Sequence, residues 1–180
     1  MPVLVMKFGG TSVADLARIE NAAKKVQAEV ARGYDVIVIV SAMSGKTNEL
    51  VGWVEGTSKL YDAREYDAVV ASGEQVTAGL LAIALQSMDI NARSWQGWQI
   101  PIKTDNAHGA ARIQEIDGTE IIRRMGEGQV AVVEIVELAI FGVAVLSQAL
   151  TGGDQAIGVD LIDPEIGGHV GREVGRRVVH

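Results

Sequence analysis

The run "VIVIV" at residues 36–40 constrains this chain more than any other stretch. It contains only β-branched apolar side chains, which are stiff at χ1 and suit a pleated strand. An unbroken apolar run, rather than an alternating one, marks a strand buried on both faces of a parallel sheet. A parallel neighbour needs a crossover of about a dozen residues or more, and the upstream sequence supplies one. "VLVM" at residues 3–6 is a short β-leaning run. Val13, Leu16, Ile19, Ala23, Val26 and Val30 then recur every three or four residues, the core stripe of an amphipathic helix. Gly33 is a natural stop after that helix. The chain up to Val40 therefore reads strand, helix, strand.

Beyond Val40 the pattern goes on alternating. A Ser/Gly loop leads to a helix over residues 48–60, and a second helical region covers 65–87 with a break or bend at Ser72-Gly73. Short strands are expected at 92–95, 100–103 and 112–116. A helix follows at 119–125, then Gly128 and the strand "QVAVVEIV". Such alternation points to an α/β fold with helices on both sides of a mostly parallel sheet. From Glu134 onward the helical period is lost. "GGDQAIGVDLIDPEIGGHVGREVGRRVVH" is glycine-rich and reads as an irregular or poorly ordered tail.

Composition removes several classes of function. At 180 residues and 48% hydrophobic, the chain can bury a sizeable core as one domain or one lobe. A formal charge of −7 leaves no basic stripe for nucleic acid, and Arg172, Arg176 and Arg177 are too few to supply one. There is no cysteine, which excludes disulfides and thiolate metal sites. "MPVLVMKFGG" lacks the charged segment and cleavage site of a signal peptide, so a cytoplasmic protein is expected. Residues 138–146, the longest apolar stretch, fall far short of the ~20 residues of a membrane span. No membrane or nucleic-acid partner is expected.

Three motifs could carry chemistry. In "KFGGTSVAD", Gly9 and Gly10 separate the first strand from the first helix, Thr11 and Ser12 offer capping hydroxyls, and Ser12 and Asp15 have capping-box spacing. Such a turn is either an anion cradle or simply a tight connection. "SAMSGKTNEL" ends like a P-loop at Gly45-Lys46-Thr47, but Val40 stands where the loop's first glycine is required, so that reading fails. What remains is a loop at the carboxyl end of a central strand, where ligands bind in open α/β sheets. Ser41, Ser44 and Thr47 supply hydroxyls there, for ligand binding or for ordinary turn and cap chemistry, with Thr47 as the cap of the next helix. In "ASGEQVT", Glu74 at the start of an apolar helix either complements the helix dipole or holds a ligand ammonium. His108 is isolated and reads as a turn residue, with Asp105 and Arg112 as a flanking loop ion pair.

In their order and spacing, "KFGGTSVAD", "VIVSAMSGKTNEL", "ASGEQVTAGLLAIAL" and "TDNAHGAARI" closely resemble the amino-terminal half of bacterial aspartate kinases, of the amino-acid kinase family. The resemblance runs over residues 2–133. It implies a three-layer α/β/α fold and ATP-dependent phosphorylation of the side-chain carboxylate of L-aspartate to 4-phospho-L-aspartate, with Mg2+ accompanying the ATP. That chemistry belongs to amino-acid biosynthesis, lysine included. By the same resemblance Lys7 contacts the transferring phosphate as the catalytic residue. Lys7, Phe8, Gly9, Gly10 and Ser41 form the ATP and phosphate site, and Thr47 and Glu74 hold the aspartate. No protein-held metal site is expected.

The resemblance stops after "GQVAVV". The family continues with a glycine-phenylalanine-glutamine-glycine turn, an arginine-glycine-glycine-serine-aspartate motif and a segment for adenine and ribose. This chain reads "EIVELAIFGVAVLSQALTGGDQ" instead. Thr151-Gly152-Gly153-Asp154 lacks the arginine, so the family's catalytic aspartate is not assigned to Asp154. Residues 1–133 are thus expected to form the amino-acid kinase-like part and 134–180 a divergent tail, without a regulatory domain. Three readings stand: an aspartate kinase by descent with impaired activity, a non-catalytic α/β module that keeps an aspartate or phosphate pocket, and another small-molecule kinase of the same fold. Assembly into a homo-oligomer stays open.

Overall fold

The structure, a computed structural model, describes residues 3–106, 112–134, 158–161 and 171–173. Its centre is the pair of strands that the sequence places first. β1 (Val3–Phe8) and β2 (Asp35–Val40) run parallel in unbroken register, from Val3 opposite Asp35 to Phe8 opposite Val40. β3 (Ala92–Trp95) and β6 (Val130–Glu134) continue the sheet beyond β2, both parallel to it. On the other flank β7 (Gly158–Leu161) lies parallel to β1, and β8 (Gly171–Glu173) closes the sheet antiparallel to β7. The six-stranded order is β3-β6-β2-β1-β7-β8. β4 (Ile102–Thr104) and β5 (Ile113–Ile116) form a separate antiparallel pair, not part of the main sheet.

Residues 36–40 lie within 1% of complete burial, and their alternation feeds two cores. Val36, Val38 and Val40, with Leu4, Met6 and Phe8, pack against Ile19, Ala23 and Val26 of α1 (Leu16–Ala31) and Leu81 and Leu85 of α3 (Ala63–Gln86). Ile37 and Ile39, with Val5 and Val133, pack against Ile121 and Met125 of α4 (Thr119–Gly126) and against Trp95 and Ile100. Helices therefore cover both faces of the sheet, in the expected three layers. α2 (Lys46–Thr57) packs on α3. Each fully buried Val or Ile contributes roughly 1.5–3 kcal/mol relative to exposure, so β2 anchors both sides at once.

The tail expected to be irregular contributes β7 and β8 to the main sheet, and local details depart from the sequence reading along α1 and α3. Ser12 and Asp15 do not form a capping box around one helix start. Gly10–Val13 is a 3-10 turn, and Asp15 itself caps α1, its carboxylate accepting from the Arg18 amide at 2.8 Å. Leu16, assigned to the core stripe, is consequently 62% exposed on the first turn. α3 runs unbroken through Ser72-Gly73. A Cβ on Gly73 would stand 3.0 Å from the Ala42 side chain and 3.3 Å from Leu50, so this glycine allows close helix packing instead of interrupting the helix. A single interior glycine costs only about 1 kcal/mol against alanine, which close packing offsets. Gly33, by contrast, stops α1 as expected, at φ +90°.

Among the described residues α3 is the one helix long and apolar enough to cross a membrane. Its inner face, however, buries Thr77, Ala78, Leu81, Ala82 and Leu85 against the sheet, so its hydropathy is that of a core helix. Leu81→Ala should destabilise the fold by about 2–5 kcal/mol, whereas Ile83→Ala, on a side chain 62% exposed, should stay within about 0.5 kcal/mol. Urea unfolding of the two variants checks the assignment of faces.

Candidate functional site

In the main sheet β3, β6, β2, β1 and β7 point the same way, so their carboxyl ends form one rim. Two loops leave that rim side by side. The Ser41 amide donates to the Phe8 carbonyl at 3.1 Å, and the Ser44 amide donates to the Gly10 carbonyl at 3.2 Å. These two bonds extend the β1–β2 pairing past the last strand residues. They hold "FGGT" against "SAMS". A Cβ on Gly10 would lie 2.8 Å from the Ala42 carbonyl oxygen, a distance real side chains do not tolerate. Gly9 has φ −72° and open space around its Cα. Of the two glycines, Gly10 is the one the loop contact requires.

The structure brings the sequence-predicted residues to this rim from different layers. Lys7, half-buried, is the penultimate residue of β1, opposite Ile39. By strand alternation it shares the α4 side of the sheet with Val5. Phe8 follows it, buried among the side chains under α1 and α3. Ser41 is half-buried at the end of β2. Gly45, at φ +79°, is the N-cap of α2, which places Thr47 inside the first turn instead of at the cap. Glu74 is not at a helix start: it lies in the middle of α3, 8% exposed, with its Oε1 accepting from the Ala42 amide at 3.3 Å. Its neighbour Gly73 packs against Ala42, Leu50 and Lys46, which joins the start of α2 to the middle of α3. Lys46 itself pairs with Glu49. Lys7 and Glu74 thus approach one rim from opposite faces of the sheet.

Sequence reasoning missed Glu134. This last residue of β6 is 5% exposed, and it sits opposite Val40 in the ladder. Its Oε1 accepts from the Gly97 amide at 2.9 Å. The Gln96 side chain, with its amide nitrogen turned inward, donates to Oε1 at 3.0 Å and to Oε2 at 2.6 Å. Burial pushes the Glu134 carboxyl above the usual carboxylate range, the Gly97 bond draws it down, and the nearby charge of Glu74 pushes it up again. A charged residue closing the apolar run "VAVV" was the available signal. His108 lies outside the described residues. Asp105 and Arg112 meet through the main chain, the Arg112 backbone amide donating to Asp105 Oδ1 at 3.1 Å. Among the described residues there is no group of three or more His, Asp or Glu that could hold a metal ion.

A glycine turn, a hydroxyl-bearing loop and a buried carboxylate thus meet at one rim of a parallel sheet. The chain belongs to the amino acid kinase family, whose model matches residues 2–159. It is 43% identical over 133 residues to Aspartokinase 2 of Bacillus subtilis, covering 74% of this chain and 33% of that one. It therefore spans about a third of the length of that relative. The crystal structure of aspartate kinase from Synechocystis superposes with a TM-score of 0.64 at 36% identity, covering 75% of this chain and 22% of the other. Aspartokinase III of E. coli, solved in complex with aspartate and ADP, shares the fold at 19% identity and a TM-score of 0.62, covering 73% and 40% of the two chains.

The two glycines should separate in a stability measurement. Gly9→Ala meets open space and should change unfolding free energy by no more than about 0.5 kcal/mol. Gly10→Ala must push two backbone segments apart and should cost about 1–3 kcal/mol. Thermal or denaturant unfolding of both variants decides the point.

Proposed function

We propose that this chain carries the catalytic-site half of an aspartate kinase, transferring the terminal phosphoryl group of ATP to the side-chain carboxylate of L-aspartate. The observation that supports it most is the convergence of Lys7, Gly10, Ser41 and Glu74 on one rim in a chain 43% identical to an aspartokinase. In this reading a carboxylate oxygen of aspartate attacks the terminal phosphorus, ADP leaves, and an acyl phosphate forms. Such transfer needs positioning and charge stabilisation more than covalent help from the protein. Lys7 neutralises charge on the transferring group. The Gly9-Gly10 turn, held by the contact of Gly10 with the Ala42 carbonyl and open beside Gly9, lets a phosphate approach the backbone near Phe8 and Ser41. Thr47 donates to the substrate carboxylate, and Glu74, an acceptor-only group, takes the α-ammonium. Approach from opposite faces suits the task, because phosphate and ammonium must be held at opposite ends of the acceptor.

Mg2+ would enter with the nucleotide, bound mainly by its phosphates. In this reading residues 1–133 carry the kinase-like part with the site residues named above, the family match runs on to residue 159, and the rest of the chain diverges. A cytoplasmic role in lysine biosynthesis and self-association follow from the likeness to aspartate kinases and stand as part of the proposal. A binding module that has lost turnover is the second reading, favoured by the missing arginine-bearing motif.

Two outcomes test the proposal. Lys7→Met should lower ADP release in a coupled assay with aspartate and Mg-ATP by about a hundredfold or more, while leaving thermal stability nearly unchanged. ATP should bind more weakly than in a complete family member, by roughly one to two powers of ten for each lost charge-assisted contact, and aspartate should lose less. Calorimetry with each ligand measures this. Unchanged turnover in Lys7→Met would remove the phosphate-cradle reading. Aspartate binding without any turnover would establish the binding module.

A further inference from the structure

Glu134 has no part in the chemistry above, yet it is a carboxylate 95% removed from solvent at the same rim. Buried carboxylates persist only when their oxygens are well supplied with donors. Here every named donor comes from one place, the turn that leaves β3: the Gly97 amide and the Gln96 side chain. Glu134 therefore straps that turn to the end of β6. The strap depends on charge. An ionised carboxylate only accepts, whereas a protonated one carries a donor and loses acceptor capacity. Two amide donors aimed at one carboxylate favour the ionised form.

Among the described residues the charged groups around it are few. From α3, Glu74 faces the same end of the sheet, held by the Ala42 amide two residues beyond Val40, the ladder partner of Glu134. β2 and the turn after β3 present the neutral Val40 and Gln96. Lys46 of α2 reaches Gly73, but its ammonium pairs with Glu49. Lys7 and Arg93 alternate onto the other side of the sheet, with Val5 and with Trp95. Among the described residues Glu74 is thus the charge that acts on Glu134 from this side, and it repels the ionised strap.

We infer that Glu134 is a positioning residue: ionised, it fixes the Gln96–Gly97 turn at the rim, and a cation held by Glu74 favours that ionised, strapped state. By linkage the reverse holds too, so an ionised Glu134 strengthens the hold of Glu74 on an ammonium group. The ligand half of this inference rests on the function proposed above; the strap and its coupling to Glu74 do not.

Amide hydrogen exchange at Gly97, followed by NMR from about pH 4 to pH 8 and corrected for intrinsic exchange, tests both halves. In the unmodified chain, protection of Gly97 should drop by roughly tenfold as pH falls through the titration of Glu134. In Glu134→Gln that pH step should vanish. In Glu74→Gln the step should persist but move toward lower pH, because the repelling charge is gone. Saturating L-aspartate should move it the same way in the unmodified chain. A Gly97 amide without a pH step, or a step unmoved by Glu74→Gln, would overturn the inference. If the variants behave as expected but aspartate neither binds nor shifts the step, the strap stands and the aspartate reading falls.

Discussion

The rest of the molecule depends on the double burial of β2. Its five apolar residues at 36–40 are pressed from both faces and hydrogen-bonded on both edges, by β1 and by β6. The strands on its two edges, β1 and β6, both run parallel to it. Once β1 and β2 are parallel and in register, their exit loops must emerge together, and the bonds from Ser41 to Phe8 and from Ser44 to Gly10 follow. The candidate site is therefore a consequence of the core. A substitution that disturbs β2 would be felt at the rim before it was felt at the periphery.

The same constraint explains how unlike residues come to share one place. Strand alternation sends Lys7 to the α4 side, while α3 brings Glu74 from the other. Gly73 lets α3 approach Ala42, and Gly10 lets the first loop approach the second. Both glycines act by the absence of a side chain, and neither is chosen for unusual backbone angles. Around the rim the buried carboxylates each hold a backbone amide: Glu74 that of Ala42, Glu134 that of Gly97. A polar, anchored rim above a dry core combines a rigid base with sites for charge.

Much of this was legible in the sequence. The apolar run of β2, the three-and-four spacing of α1 and the stop at Gly33 report local physics, and local physics determines them. The capped start of α1 was misplaced because Ser12 and Asp15 are both competent caps, and only the 3-10 turn decides for Asp15. The unbroken course of α3 could not be read, since the partners that reward Gly73 come from the β2 loop and from α2, far along the chain. Glu74 was singled out by the family resemblance, but its depth in the helix is a tertiary fact. Glu134 stood in plain view as a charge ending an apolar strand. Its meaning needed the turn after β3, which the sequence places 37 residues away from it.

The central claim is that the carboxyl rim of β1 and β2 is a ligand site with a phosphate end and an ammonium end. Backbone amide shifts on separate addition of L-aspartate and of Mg-ATP test it most directly. The account predicts that aspartate moves the amides of Ala42, Thr47 and Glu74, and that the nucleotide moves those of Gly9, Gly10 and Ser41. Shifts gathered on other surfaces, or none with either ligand at millimolar concentration, would contradict it.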